Sequence, residues 1–180
     1  MQPDPFWQAL PAQSVLPDAL RQLHGSQGIY SGFCDIERGR GLLVHMALWL
    51  GRFPTGGRNV PVSLYVTKRD RAWIWVRNFN GQTTRSRIDY RSGYVLERMG
   101  PLTLWLKPVL FDGQLSIHLH RLRLWGIPCP KLIVPRSNTF EWQDDEGRFR
   151  FDVSARMPVL GLLIRYHGWL TADHAKQDVG

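Results

Sequence analysis

The chain has 180 residues, of which 43% are hydrophobic and 12% aromatic, and its formal net charge is +8. This length suits one domain, and the hydrophobic share is enough for a packed core, which excludes an intrinsically disordered chain. The longest apolar run, Leu42–Leu50, is too short for a membrane-spanning helix, and the N-terminus lacks the pattern of a secretory signal.

Arginine accounts for most of the positive charge, since 19 of the 23 basic residues are Arg and four are Lys. Guanidinium groups bind carboxylates and phosphates through paired hydrogen bonds, so anionic partners are one interpretation of this excess. The other interpretation is a basic surface that contacts only solvent. Cys34 and Cys129 are far apart and no disulfide is expected. The sequence therefore predicts a cytoplasmic domain that either stays in solution or is peripheral to the membrane.

Residues 1–27 predict a short N-terminal helical extension. Three leucines recur there at helical spacing: Leu16, Leu20 and Leu23. From residue 28 the pattern changes, and Ile29–Ile36 predicts a β-strand. Gly41–Phe53 then consists mainly of good helix formers and is stopped by Pro54.

The remainder of the chain predicts a series of short strands separated by turns. The predicted strands are Val60–Thr67, Ala72–Phe79, Gln82–Tyr90, Tyr94–Met99, Leu102–Leu110, Leu115–Leu124, Asn138–Gln143, Arg148–Arg156 and Leu163–Leu170. Asn80-Gly81 and Asp112-Gly113 are typical of hairpin turns, and a change of apolar phase near His120 predicts a β-bulge. The last segment also fits helical spacing, so a helix after Pro158 is the alternative.

About ten strands with short connections predict a mainly β fold, an antiparallel meander that curls or closes into a calycin-like barrel. Residues 28–170 would form this barrel, with one helix between the first two strands, and residues 171–180 would form a polar tail. The segments Tyr30–Phe33 and Tyr166–Trp169 share a Tyr-x-Gly-aromatic pattern. Closure would make these two segments neighbours, because glycine permits the coiling that a barrel needs.

Four blocks of the chain carry a family resemblance: ERGRGLL (37–43), NVPV (59–62), ERMGPL (97–102) and RFDVSARMPVLGLLIRYHGWL (150–170). Over roughly residues 28–170 the chain resembles the bacterial Domain of unknown function 4166 family. The resemblance implies a domain that occurs alone or appended to larger proteins, including reductases of the saccharopine dehydrogenase type. It brings no catalytic residues. The order of strand, helix and nine strands separately resembles the fatty-acid-binding calycin barrels.

Arginines two residues apart share one face of a strand. The pairs are Arg85/Arg87, Arg121/Arg123 and Arg148/Arg150. Either such a face lines a cavity, where guanidinium groups hold an anionic head group, or it is the solvent side of the strand. The first two pairs are the better candidates for the cavity, because the third alternates with Phe149 and Phe151 in an ordinary out/in pattern.

His118 and His120 also share a face, and His167 is available as a third imidazole. Either these histidines converge in the cavity for metal binding or acid–base chemistry, or they are partly buried or solvated side chains. Tyr166 and His167 complete the candidate ligand-binding residues. The sequence has no nucleophile motif and no dinucleotide-binding loop, so it assigns no catalytic residue, no metal and no cofactor.

The helical segment Gly41–Phe53 is apolar almost all round and is bracketed by four arginines: Arg38, Arg40, Arg52 and Arg58. Either it plugs one end of the barrel as ordinary core, or it is a lid that touches an anionic lipid surface. The candidate lid residues are Trp49, Leu50, Arg52 and Phe53.

The leading hypothesis is a noncatalytic domain that binds a small anionic amphipathic or lipid-like molecule. The alternatives are an interaction or regulatory module for a reductase-type partner, and an enzyme that uses cavity histidines. Nucleic acid is not expected as a partner, because no motif that reads DNA or RNA is present. A cavity of about 300 Å³ or more would favour the binding domain, whereas a filled interior would favour the module.

Overall fold

The computed structural model describes residues 3–70, 72–158 and 160–173. It has three short helices, α1 (Pro5–Gln8), α2 (Asp18–Gly25) and α3 (Leu42–Leu50). The strands are β1 (Gly28–Arg38), β2 (Gly57–Arg69), β3 (Ala72–Phe79), β4 (Gln82–Arg91), β5 (Tyr94–Met99), β6 (Leu102–Phe111), β7 (Gln114–Leu124), β8 (Ile127–Pro128), β9 (Arg136–Gln143), β10 (Phe149–Met157) and β11 (Gly161–Ala172). A single 3-10 turn, Lys131–Ile133, lies between β8 and β9.

These strands form a closed antiparallel barrel of ten strands with one short extra strand, which confirms the predicted mainly β meander. The sheet runs in the order β6, β5, β4, β3, β2, β1, β11, β10, β9, β7, and a pairing of β6 with β7 closes it. The extra strand, β8, pairs only with the end of β7. Closure removes the exposed edges that an open meander of this length would leave.

β1 and β11 are neighbours, as the shared Tyr-x-Gly-aromatic pattern predicted. Phe33 lies directly opposite Trp169, and their ring centroids are 5.9 Å apart. A Cβ atom on Gly32 would lie 1.9 Å from the backbone oxygen of Trp169, and one on Gly168 would lie 2.1 Å from that of Phe33. Only glycine therefore permits this close approach of the two strands.

Two local predictions are decided by strand register. Trp105 pairs with Arg121 and Leu106 pairs with Leu119, so His120 is the extra residue of a β-bulge, as predicted. The final element is a strand, because β11 pairs with both β1 and β10 along its length. The alternative of a helix after Pro158 is therefore wrong.

Connections alternate between the two ends of the barrel, because neighbouring strands are antiparallel. We call the end that carries α2 and the β2–β3 turn the lower end. The upper end carries α3, the Asn80-Gly81 turn and the long connection from β7 to β9. None of the helices in the described ranges is long and apolar enough to cross a membrane.

The N-terminal helices close the lower end. α1, which the sequence analysis did not predict, packs against β4 and β5, and α2 packs against β9 and β10. Phe6, Leu20 and Leu23 are at most 3% exposed and belong to the same apolar core as the barrel interior. At the other terminus β11 extends through Ala172, so the first two residues of the predicted polar tail, 171–180, belong to a strand; residues 174–180 lie outside the described part of the chain.

Candidate ligand-binding cavity

The barrel encloses a cavity of ≈ 380 Å³ that runs from Phe6 at the lower end to Ile133 at the upper end. Apolar side chains from every long strand except β1, β4 and β9 form most of its wall. Examples are Leu64, Phe79, Leu104, Leu119, Phe151 and Val153. Pockets of this size and composition are typical of sites for small apolar or amphipathic molecules.

One ion pair interrupts this apolar wall. Arg77 on β3 faces inward in phase with Trp75 and Phe79, and its Nη1 lies 3.3 Å from the carboxylate of Glu97 on β5. The same nitrogen donates a hydrogen bond of 2.9 Å to the hydroxyl of Ser86. The guanidinium group also stacks over the indole of Trp75, with 5.2 Å between its central carbon and the ring centroid. Arg77 is thus neutralised and held in place from three sides.

Tyr166 on β11 lines the cavity close to this ion pair. Its ring contacts Phe79 and Phe151, at centroid distances of 5.7 and 6.3 Å. Burial raises the pKa of its hydroxyl to about 12, the Arg77 charge opposes this, and Glu97 adds to it. The phenol is therefore neutral at physiological pH and is a hydrogen-bond donor inside a mostly apolar space.

Trp75 contributes a second donor. Its indole lines the cavity, and the Nε1 nitrogen is buried without a hydrogen-bond partner among the described residues. Leaving a buried donor unpaired costs about 1–3 kcal/mol, so an acceptor from a bound molecule or water at this point would stabilise the protein.

A buried charged group forms the lower boundary of the cavity. His24 on α2 contacts the Asp4 carboxylate through Nδ1 and the Glu141 carboxylate through Nε2, each at 2.8 Å. Burial alone lowers the pKa of His24, but the two carboxylates overcome this and raise it to about 10. The imidazole is therefore protonated at neutral pH and donates to both carboxylates. Glu141 lines the cavity, whereas His24 is fully buried behind it.

The upper end of the cavity is covered by two separate pieces of chain. Leu50 and Phe53, at the end of α3 and just beyond it, line one side. On the other side β7 pairs with β9 only through its lower half, Leu115–His118, and above this pairing the connection that carries β8 fills the gap in the wall. Ile133 of this connection lines the cavity and is 50% exposed, so the cavity reaches solvent here.

A second depression, of ≈ 480 Å³, lies on the outside of the barrel around Phe33, Pro61 and Trp169. It is a shallow groove between the β1–β11 pair and the Asn80-Gly81 turn. Although its volume is larger, it is open to solvent, so a molecule bound there would keep most of its hydration. The interior cavity is the better candidate site.

The part of the chain that matches a known family model covers almost the whole barrel. The model of the Domain of unknown function (DUF4166) matches residues 16–170, from the segment before α2 to β11. The chain belongs to this family. No curated protein matches it.

In this DUF4166 domain the predicted arginine pairs lie outside the cavity. Arg85 and Arg87 are exposed, while the alternate residues of β4, Thr84, Ser86 and Ile88, point inward. Arg87 contacts the Asp89 carboxylate at 3.3 Å on the outer face. The interpretation that this pair lines the interior is therefore corrected to the solvent side of the strand.

The other predicted candidates on β7 also face outward. His118, His120, Arg121 and Arg123 are all exposed. The bulge at His120 explains this, because it lets Leu119 and Leu122 both face the cavity and places the two residues between them outside. His120 packs against the ring of Tyr94, and Arg123 stacks on Trp105.

The predicted histidines do not converge. His167 lies on β11 between Asp35 of β1 and Asp152 of β10, and its neighbour Tyr166 is the one that faces the cavity. Within the described ranges no group of three or more His, Cys, Asp or Glu residues is arranged to hold a metal ion.

The four candidate lid residues divide into two pairs. Leu50 and Phe53 line the cavity, whereas Trp49 is 79% exposed and Arg52 is also exposed. Arg148 and Arg150, by contrast, match the predicted out/in alternation, because Phe149 and Phe151, which alternate with them, line the cavity.

The charged residues that line the cavity, Arg77, Glu97 and Glu141, were missed from the sequence. The sequence around Arg77 and Glu97 did contain a usable pattern, a single charged residue in phase with apolar residues on a strand. Trp75 and Phe79 flank Arg77 in this way, and Val95 and Met99 flank Glu97. At Arg77 and Glu97 the charged residue that replaces one member of an apolar stripe faces the interior, whereas the paired charges of Arg85 and Arg87 lie on the solvent face.

Proposed function

We propose that this DUF4166 domain binds one small amphipathic molecule, with the apolar part inside the barrel and an anionic head group at the upper end. The observation that carries the proposal is the enclosed, mostly apolar cavity of ≈ 380 Å³, which meets the size expected for a binding domain and not for a filled interaction module. Burial of the apolar part would contribute about 25 cal/mol per Å² removed from water.

The position of the head group follows from charge. Inside the cavity the Arg77 guanidinium is already paired with Glu97, so an anionic group there would have to displace a carboxylate or remain buried without a partner. At the upper end Arg123, Lys131 and Arg136 are exposed on or beside the connection that covers the cavity. A carboxylate or phosphate at this end would meet free cations and keep part of its hydration.

Trp75 and Tyr166 support a further detail of the proposal. Each offers a donor group in the apolar wall, and the indole N–H of Trp75 is unpaired among the described residues. A ligand with a polar oxygen along its apolar chain would satisfy this donor, whereas a plain hydrocarbon chain would leave it to water. The likeness in element order to calycin barrels is consistent with a ligand held in this way.

Native mass spectrometry of the purified domain tests first for a copurified molecule. A titration with 11-(dansylamino)undecanoic acid, whose fluorescence increases in an apolar site, then tests the cavity itself. Leu119→Trp would fill the interior and weaken binding of this probe at least about tenfold, equivalent to about 1.4 kcal/mol. His118→Trp is the matched control, because the adjacent side chain points outward.

Circular dichroism and thermal unfolding establish that both variants fold. Equal binding of the probe by the wild type and by folded Leu119→Trp would contradict the proposal. So would a loss of binding that is the same in His118→Trp as in Leu119→Trp, since that result would place the probe on the outer surface.

A further inference from the structure

α3 has apolar residues on both sides, although it has only one side to bury. Val44 and Leu48 face the barrel and are 1% and 0% exposed. Four residues on its other side are in contact with solvent: Leu42 at 78%, Leu43 at 59%, Met46 at 57% and Trp49 at 79% exposed. Helix residues that face water in a soluble domain are ordinarily polar, so this side of α3 lacks the neighbour that its composition suits.

The connection from β7 to β9 also exposes large apolar side chains, and it lies at the same end of the barrel. Trp125, Ile127 and Leu132 are 67%, 70% and 80% exposed. Leu160, in the turn between β10 and β11, is 37% exposed and also lies at the upper end. Three separate connections thus present large apolar side chains around the covered mouth of the cavity. We call these residues, together with the outer side of α3, the apolar rim.

The charges of these connections and of the adjoining ends of β2, β7, β9 and β10 are all of one sign, and the nearest acidic residue along the chain is Glu37 of β1. Residues 39–58, 123–136 and 156–161 contain seven basic residues and no Asp or Glu. The basic residues, all exposed, are Arg40, Arg52, Arg58, Arg123, Lys131, Arg136 and Arg156. None of the ion pairs between described residues includes any of them, although the chain forms such pairs elsewhere. The connections of the lower end, in contrast, contain acidic residues, including Asp70, Asp112 and Asp144.

We propose that the upper end of the barrel docks on a lipid bilayer with anionic head groups. The apolar rim would enter the boundary between head groups and acyl chains, and the seven basic residues would contact lipid phosphates. An anionic bilayer has an apolar interior and negatively charged head groups, so it suits a surface that combines exposed aromatic and aliphatic residues with unpaired cations. A second copy of the chain does not match it, because apposing two such ends would bring fourteen cations together.

Docking in this orientation places the cavity mouth against the membrane. The two covering pieces, α3 and the β7–β9 connection, would then lie in the head-group layer, and an apolar molecule could pass between bilayer and barrel without crossing water. Docking does not require an occupied cavity, because the side chains that would contact the bilayer lie on the outside of the upper end.

Sedimentation with vesicles tests the docking. The purified full-length chain is mixed at low salt with vesicles of phosphatidylcholine alone, or of phosphatidylcholine mixed with phosphatidylglycerol. We expect the chain to sediment with the mixed vesicles, to remain in solution with the neutral ones, and to be released by high salt. Binding that is equal for both vesicle types would overturn the role of the basic residues.

Variants at the two ends of the barrel make the test specific. Trp49→Ala would weaken vesicle binding about tenfold through loss of buried apolar surface, and Arg52→Ala about fivefold through loss of one cation near the lipid surface. The matched controls are Phe111→Ala and Arg91→Ala, since both residues are exposed at the lower end, with Phe111 80% exposed. These controls should leave binding unchanged.

Two further outcomes would overturn the proposal. One is the absence of sedimentation with anionic vesicles by folded wild-type chain. The other is self-association of the chain in analytical ultracentrifugation that Trp49→Ala abolishes while vesicle binding stays unaffected, because the apolar rim would then be an interface between copies. A failure of probe binding in the cavity, with vesicle binding intact, would contradict only the proposed function.

Discussion

The two ends of the barrel are both covered by helices, yet they are built in opposite ways. At the lower end α2 buries Leu20 and Leu23 completely and exposes Asp18, Arg21 and Gln22 to solvent. At the upper end α3 buries Val44 and Leu48 and exposes Leu43 and Trp49 as well. The lower cover is an ordinary amphipathic helix, whereas the upper cover is apolar on both sides.

The polar contacts of the two ends differ in the same way. The lower end is fixed by the buried group of Asp4, His24 and Glu141, and Asp4 also accepts hydrogen bonds from the backbone N–H groups of Phe6 and Trp7. In α3, by contrast, Gly41 precedes the first turn and provides no side-chain cap. Buried side-chain contacts therefore hold the helices of the lower end, whereas no side-chain cap holds the first turn of α3.

The largest expected effect of a single substitution is at the lower end. His24→Leu would leave the carboxylates of Asp4 and Glu141 buried without their shared cation, which costs about 3–5 kcal/mol in the free energy of unfolding. Urea denaturation followed by circular dichroism measures this difference. The control is His118→Leu at an exposed position, where we expect a change within about 0.5 kcal/mol. A similar small change for both variants would show that the buried group does not hold the lower end.

The next effect is a dependence of stability on pH. The pKa of His24 is about 10 in the folded chain and 6.5 when the group is unperturbed. Because the folded state holds this proton more tightly, its stabilisation is complete below pH 6.5 and is lost as pH rises toward 10. The free energy of unfolding should fall between pH 6.5 and 8.5 by up to about 1.4 kcal/mol per unit. Thermal unfolding across this range measures the slope.

Other buried groups act in the same direction but at higher pH. Burial raises the pKa values of Tyr30, Cys34 and Tyr166 to about 12, so their neutral forms stabilise the fold until the unfolded chain begins to lose those protons, near pH 9 for cysteine and 10 for tyrosine. Measurements below pH 8.5 therefore separate His24 from these groups. Asp4→Asn, which removes one of the two carboxylates, should reduce the slope, and an unchanged slope would argue against His24 as its source.

The strands were predictable because their turns have local chemistry. Asn80 and Gly81 have φ values of 48° and 93°, and Asp112 and Gly113 have 47° and 73°, which are the conformations that these dipeptides favour in two-residue hairpins. The closure was predictable for a related reason. Gly32 and Gly168 occupy positions where any Cβ would collide with the neighbouring backbone. Glycine at these two positions therefore indicated that β1 and β11 are in contact.

The site was less predictable, because its residues meet through long-range packing. Asp4, His24 and Glu141 come from positions separated by 20 and 117 residues, and nothing in the local sequence of any one of them indicates the other two. The arginine pairs led to a wrong prediction of cavity residues for a physical reason. Residues at alternate positions of a strand share one face, and two charges on one face favour contact with solvent. The single charges of Arg77 and Glu97 within apolar stripes were the informative ones.

The smallest expected effect is at the upper end, and it separates folding from binding there. Trp49→Ala removes a side chain that is 79% exposed, so the free energy of unfolding should change by no more than about 0.5 kcal/mol. Leu48→Ala, one position earlier and fully buried, should lower it by about 2–5 kcal/mol. Urea denaturation of both variants measures the contrast. If Trp49→Ala destabilises the chain as much as Leu48→Ala does, the outer side of α3 packs within the fold and is not available as a docking surface.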